Sequence, residues 1–367
     1  MQNLLNHIRR FDWLLTGAVL ALVVIGLISL FSLSSLSSFP YFNRQLVWFL
    51  LGIIFMLAVS RVDFRTFRTQ SFLVFLFYLV SVLLLSVLLF AGFSVRGHSS
   101  WFKYQGFSLQ PVETTKLVLI ILLAKFFSKR HIEIYQVRHL LVSGVYLGIP
   151  TALVLLQPDL GSAIILVSVW VAMIVFSGMK LKHFMVLLLC MALVSGLAWS
   201  FALKPYQKAR VTSFLNPYND SKGAGYQMIQ SMIAVGSGRI WGKGMGYGSQ
   251  SHLNFLPEAE TDFIFAAYAE EWGFAGVSIM ISLLFFILWR AVRIGLRSSD
   301  NFSRLYTLGF AAMIFVQSFI HIGMNMGVLP VTGITLPFVS YGGSSLITLL
   351  IGVGILQNIR MNSRLGR

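Results

Sequence analysis

Ser71-Phe-Leu-Val-Phe-Leu-Phe-Tyr-Leu-Val-Ser-Val-Leu-Leu-Leu-Ser-Val-Leu-Leu-Phe-Ala91 runs its whole length without a charged side chain. As a helix rising about 1.5 Å per residue, it is long enough to cross the ~30 Å hydrocarbon core of a bilayer. With its edges the run covers 70–92. Comparable runs lie at 12–32, 45–60, 111–127, 138–156, 160–178, 182–203, 263–289, 305–327 and 341–359. The chain therefore reads as an all-α integral membrane protein of about ten transmembrane helices. An even number of spans puts both termini on one side.

Composition agrees. Of the 367 residues 57% are hydrophobic and only 11% charged, against about 25% charged in ordinary soluble domains. The 32 Phe would demand a very large core in water and none in lipid. The net charge of +16 would suggest nucleic acid in a soluble chain. Here the basic residues flank the apolar runs, so orientation in the bilayer explains them and no nucleic-acid partner is expected. The single cysteine, Cys190, can close no internal disulfide. The first run, Trp13 to Phe31, is too long for the apolar core of a signal peptide and reads as the first span.

Alternate connections carry the cations: Arg9 and Arg10, Arg61 to Arg68, Lys125 to Arg138, Lys180 and Lys182, Arg290 to Arg304, and Arg360 to Arg367. The positive-inside rule makes these ends, and both termini, cytoplasmic. Asp12, Asp63, Glu133 and Asp300 fall on that side. The other carboxylates, from Glu113 to Glu271, fall on the outer side or in the outer halves of spans. Carboxylates at membrane depth are costly and mark function, so the chemistry should face outward. One long outer segment, 204–262, lies between spans 7 and 8 of a single polytopic domain, 1–367. Within it Tyr226–Ala234 has helical spacing, with Gln227 and Gln230 near one face, and a Gly-rich loop follows at 236–248.

No Walker A, HExxH, CxxC or Gly-x-Ser-x-Gly sequence occurs, which argues against a nucleotide-driven pump. Four clusters remain. In Leu256-Pro-Glu258-Ala-Glu260-Thr-Asp262, three carboxylates precede a span. Asp262 at the span's mouth either caps the helix or carries chemistry, and Glu270 about two turns deeper is partly desolvated, which raises its pKa and makes it a better base once ionised. Glu113 and Lys116, three apart, can pair. Asp159 in Gln157-Pro-Asp159-Leu-Gly161-Ser is either a helix cap or functional. Pro337-Phe-Val-Ser340-Tyr-Gly-Gly-Ser-Ser fits close packing or a broken helix lining a cavity. Arg210 is suited to bidentate phosphate binding or to snorkelling. His321 and Asn325, one turn apart, read as polar helix packing.

These motifs, in this order and with Gly223-Ala-Gly225-Tyr-Gln-Met-Ile-Gln230-Ser between them, resemble the SEDS family of peptidoglycan polymerases over nearly the whole chain. Gln250-Ser251 and the short N-terminal tail are more similar to the elongation (RodA) branch than to the division (FtsW) branch. The resemblance implies inverting transfer of a lipid-linked glycan to lipid II at the outer face of a bacterial inner membrane. It implies Asp262 as the base, and Arg210, Lys116 and Lys243 as pyrophosphate holders. Glu113 would orient Lys116, and Asp159, Gln227, Gln230, Glu258 and Ser340 would complete the substrate site. It admits a divalent cation, Mg or Mn, without a dedicated protein cage. It also implies a class B penicillin-binding protein transpeptidase as partner, alongside other elongation-complex membrane proteins and membrane lipid. The rivals are a lipid II flippase and a non-catalytic scaffold for the transpeptidase. The carboxylates gathered on one side favour chemistry over both.

Overall fold

The computed structural model describes residues 9–34, 40–62, 65–91, 93–95, 98–104, 107–129, 137–202, 204–220 and 223–364. Among the charges used to orient the chain, Asp63, Arg96, Arg130, Glu133, Lys222 and Arg367 lie outside them. The long helices are α1 (Trp13–Ser34), α2 (Tyr41–Arg61), α4 (Ser71–Ala91), α5 (Pro111–Ser128), α6 (Val137–Leu156), α7 (Leu160–Phe176), α8 (Leu181–Leu197), α12 (Ile264–Arg297), α13 (Asn301–Asn325) and α14 (Gly343–Arg364). Each coincides with one of the apolar runs. Eight are long and apolar enough to cross a membrane. The two others are α5, which carries Glu113, Lys116 and Lys125, and α7, which is 17 residues long. Short helices fill the connections: α3 (Arg65–Thr69), then α9 (Pro205–Leu215), α10 (Ala224–Ser237) and α11 (Ser249–His252) within the long segment before α12.

One element departs from the all-helical reading. Between α4 and α5 the chain forms a three-stranded antiparallel meander, β1 (Phe93–Val95), β2 (His98–Tyr104) and β3 (Phe107–Leu109). The aromatic residues of these strands and Val95 favour the pleated surface.

The centre of the bundle is built from α13, α14 and α5, which are mostly buried. Helices α2 and α14 pack closely because Gly354 brings its backbone against Met56; a Cβ there would sit 2.6 Å from the Met56 carbonyl. Polar side chains bind the bundle where apolar packing alone gives little drive in lipid. Gln357 accepts from Asp12 N at 2.7 Å and donates to Thr16 Oγ1 at 2.9 Å, and Asn358 donates to Ser60 O at 2.7 Å. The outer faces carry the surplus apolar residues; Phe72 and Phe90 are almost wholly exposed.

Helix α12 is broken at Gly273, whose φ of 64° and ψ of −166° lie outside the helical region. The Gly-rich loop fills the break. Phe274 N and Ala275 N donate to Arg239 O and Ile240 O at 2.8 and 3.0 Å. Lys243 N and Gly244 N donate to Glu270 O and Glu271 O, both at 3.0 Å. A break at membrane depth persists only when such groups are repaired by other protein. Gly273 is required on two counts: the positive φ, and a Cβ that would lie 2.3 Å from Gly242 N.

Candidate active site

The entrance to α12 is shaped by its own backbone. Glu258 adopts a left-handed φ of 53°, and its carbonyl accepts from Thr261 N, Asp262 N and Phe263 N at 3.1–3.2 Å. The helix's cap position is Phe263, with no side-chain cap bond. The capping alternative for Asp262 is therefore not realised. The cap comes instead from the next helix: buried Asn325 accepts from Ala266 N at 3.1 Å through Oδ1 and donates to Asp262 O at 3.0 Å through Nδ2.

The segment joining α13 to α14, residues 326–342, is laced to this entrance. Ser340 Oγ donates to Thr261 O and accepts from Leu336 N, both at 2.8 Å, and Tyr341 N donates to Glu260 O at 2.9 Å. Ser340 is thereby buried with its hydroxyl engaged to backbone. His321 Nδ1 donates to Ile334 O at 2.6 Å. Gly333, with a φ of 75°, lies against Asp262; a Cβ there would stand 3.4 Å from Asp262 Oδ2. From α9, Arg210 Nη1 donates to the carbonyl of neighbouring Thr332 at 3.3 Å. The Thr332–Gly333 step therefore has the Arg210 guanidinium on one residue and the Asp262 carboxylate beside the other.

The Asp159 turn reaches the same step by packing. Asp159 caps α7, accepting from Ser162 N at 2.9 Å and Ser162 Oγ at 2.7 Å. Beside it Gly161 meets the Thr332 carbonyl, where a Cβ would be 2.9 Å away. The remaining predicted residues are held by other elements. Glu113 and Lys116 pair at 2.8 Å, both buried within α5. Gln227 and Gln230 are half-buried on α10. Lys243 lies in the Gly-rich loop, 2.6 Å from Glu270 Oε1.

That pairing corrects the reading of Glu270 as a desolvated base. Its side chain is fully buried, but it accepts from Lys243 Nζ, Ser249 Oγ, Gln250 N, Ser251 N and Ser251 Oγ. It is a latch holding the loop in the helix break. Glu271 Oε1 serves the same end with Gly246 N at 3.0 Å and His252 Nε2 at 2.9 Å.

Asp220 was legible only as one outer carboxylate among several. In the fold it organises the entry to α10, accepting from Ser213 Oγ and Gly223 N at 2.9 Å and from Gly225 N at 3.2 Å. The Ser213 hydroxyl first, then the Gly225 amide, with smaller help from the Gly223 and Ala224 amides, hold its carboxyl below the ordinary value although burial opposes them. Among the described residues no group of three or more His, Cys, Asp or Glu is placed to hold a metal ion.

The fold is thus a helical bundle with membrane-crossing helices, in which an acidic residue at the α12 entrance and an arginine from α9 both lie against one tightly held loop. Residues 12–365 match the model of the cell cycle protein family FtsW/RodA/SpoVE, and the chain belongs to that family, the SEDS proteins. It is 40% identical to stage V sporulation protein E of Bacillus subtilis over 89% of this chain and 88% of that protein. It is 34% identical to peptidoglycan glycosyltransferase MrdB of Escherichia coli K12 over 88% and 86%. Among solved structures it superposes with a TM-score of 0.82 and 32% identity on a chain described under structural coordination of polymerization and crosslinking by a peptidoglycan synthase complex. That match covers 96% of this chain and 98% of the other. The rod shape determining protein RodA of Thermus thermophilus gives a TM-score of 0.70 at 28% identity, covering 95% and 96%.

Proposed function

We propose that this chain is a peptidoglycan glycosyltransferase that joins a lipid-linked glycan strand to lipid II at the outer face of a bacterial inner membrane. Asp262 is the general base. It takes the proton of the acceptor's GlcNAc 4-hydroxyl as that oxygen attacks C1 of the donor sugar. The C1–O bond to pyrophosphate breaks, the electron pair leaves with the lipid pyrophosphate, and the anomeric configuration inverts from α to β-1,4. Arg210 receives the developing charge on the leaving group, where a planar guanidinium is suited to bidentate phosphate contact. Lys116 and Lys243 are the further phosphate candidates, Glu113 orients Lys116, and Asp159, Gln227, Gln230, Glu258 and Ser340 shape the surrounding walls.

The supporting observation is the Thr332–Gly333 step, which has Arg210 bonded to one residue and Asp262 against the other. A base and a leaving-group cation held against one loop from two different elements suit a displacement that needs both at once. The names of the curated relatives point the same way, since FtsW and MrdB proteins are called peptidoglycan glycosyltransferases. A transpeptidase partner is supported by the structural neighbour described as a complex of polymerization and crosslinking. The elongation branch is read from Gln250-Ser251.

The decisive test uses wild type and Asp262→Asn, each with its cognate transpeptidase, given labelled lipid II and a divalent cation in detergent. The expected result is a glycan ladder from wild type and at least about a 10²-fold loss in the variant, the lower range for a general base. Equal ladders would remove Asp262 from the role. Failure of both, where a known polymerase works, would turn the reading toward lipid II translocation.

A further inference from the structure

At the far end of α12, some 28 residues beyond Asp262, a second cluster of charge surrounds a cavity of about 270 Å³. Arg290, Arg293 and Arg297 enter it from the last turns of α12, and Arg360 from the end of α14. Asp12, fully buried, lies at its base and bonds two of them, Arg290 Nε at 2.7 Å and Arg360 Nε at 3.2 Å. Four guanidiniums thus meet one carboxylate. Among the described residues neither Arg293 nor Arg297 has a carboxylate at ion-pair distance. The only other carboxylate described nearby, Asp300, is turned to its own helix, accepting from Ser303 N and Oγ.

The positive-inside rule accounts for arginines at this end of the bundle. It does not account for the convergence of four guanidiniums on one half-open pocket served by a single buried carboxylate, where like charges repel. An occupant of opposite sign relieves that repulsion. The cavity is several times the ~30 Å³ share of one water molecule, enough for a phosphate with part of a glycerol attached. Exposed apolar side chains stand beside it. Trp289, partly exposed, lies 5.1 Å beneath Arg293 and 6.0 Å beneath Arg290, as aromatic residues do in the interfacial belt, and exposed Leu296 adjoins Arg297.

We propose that this pocket is a phosphate site, and that it holds the headgroup phosphate of an anionic phospholipid of the surrounding leaflet. Arg293 and Arg297 supply the forked donors, while the Asp12 pairs keep Arg290 and Arg360 in place behind them.

The test follows unfolding of the full chain in a neutral detergent by intrinsic fluorescence. The probes are dioctanoyl phosphatidylglycerol, dioctanoyl phosphatidylcholine and inorganic phosphate. Wild type should show a saturable rise in Tm with phosphatidylglycerol and a far smaller one with phosphatidylcholine. In Arg293→Gln/Arg297→Gln the midpoint should move at least tenfold to higher concentration. A saturable rise with inorganic phosphate alone, lost in the variant, would support the site with free phosphate as its occupant. No saturable rise from any probe, or equal midpoints in wild type and variant, would overturn it. Should the double variant fail to fold, Arg297→Gln alone, whose side chain is exposed at the helix end, is expected to weaken binding about threefold, and an unchanged midpoint would overturn the proposal equally.

Discussion

Asn325 Nδ2 donates to the backbone carbonyl of Asp262 at 3.0 Å, joining the last turn of α13 to the first turn of α12. The same carboxamide accepts from Ala266 N, and Ser231 Oγ donates to the Asn325 carbonyl at 2.8 Å. Asn325 therefore fixes where the α12 entrance stands relative to α13 through its side chain, and to α10 through its backbone carbonyl. Asn325→Leu leaves the Ala266 amide without its cap, at a cost of about 1–3 kcal/mol for a buried unsatisfied group. It also frees Asp262 to shift, and a displacement near 1 Å can cost on the order of 10²-fold in rate. We expect a lower unfolding temperature and a polymerisation loss larger than that fall explains. A variant that unfolds earlier yet polymerises normally at low temperature would show that Asn325 does not position Asp262.

Gly333 gives a second handle on Asp262. Its positive φ disfavours any L side chain by roughly 1–2 kcal/mol, and a methyl group would stand in van der Waals contact with the carboxylate at 3.4 Å. Gly333→Ala should fold, retain lipid II binding within a few fold, and lose most of its polymer yield. Parallel losses in binding and yield would instead mean that the loop as a whole had moved.

The apolar runs made the ten long helices legible because a bilayer imposes length and composition directly on each span. The rest of the site depends on contacts between residues far apart in sequence. His321 and Asn325 were visible as a polar pair one turn apart, but nothing near them shows that Asn325 caps another helix 59 residues away. Glu270 looked like a base because its five donors lie 19–27 residues before it in a loop whose glycines disguise how much it bonds. The meander at Phe93–Leu109 was missed for another reason. It is too short to compete with the hydropathy signal on either side.

Acid should act through Asp220. Its folded-state carboxyl titrates below the ordinary value, so it adds stability above the unfolded pKa of about 3.9 and loses that stability as pH falls through the folded value. Wild type should therefore be more stable than Asp220→Asn at pH 7, and the difference should shrink below about pH 4. Limited proteolysis within 204–262 across that range reads the effect locally. A difference independent of pH would assign the stabilisation to something other than the ionised carboxylate.

Lys243 has two competing assignments, phosphate holder and structural partner of Glu270, and they predict different rescues. The pair is 2.6 Å apart with Glu270 wholly buried and Lys243 partly exposed. Lys243→Met strands a buried carboxylate that keeps only its neutral donors, a class of change that costs about 3–5 kcal/mol. Adding Glu270→Gln removes the stranded charge and keeps hydrogen bonding to Ser249, Gln250 and Ser251. The double variant should regain most of the lost stability, because the loop can again sit in the break at Gly273. If polymerisation returns with stability, Lys243 acts through the fold. If stability returns while activity stays low and KM for lipid II stays raised, Lys243 contacts the substrate. Should the double variant be no more stable than Lys243→Met alone, the latch itself would be refuted, since the hydrogen bonds to Glu270 would then not be what holds the loop.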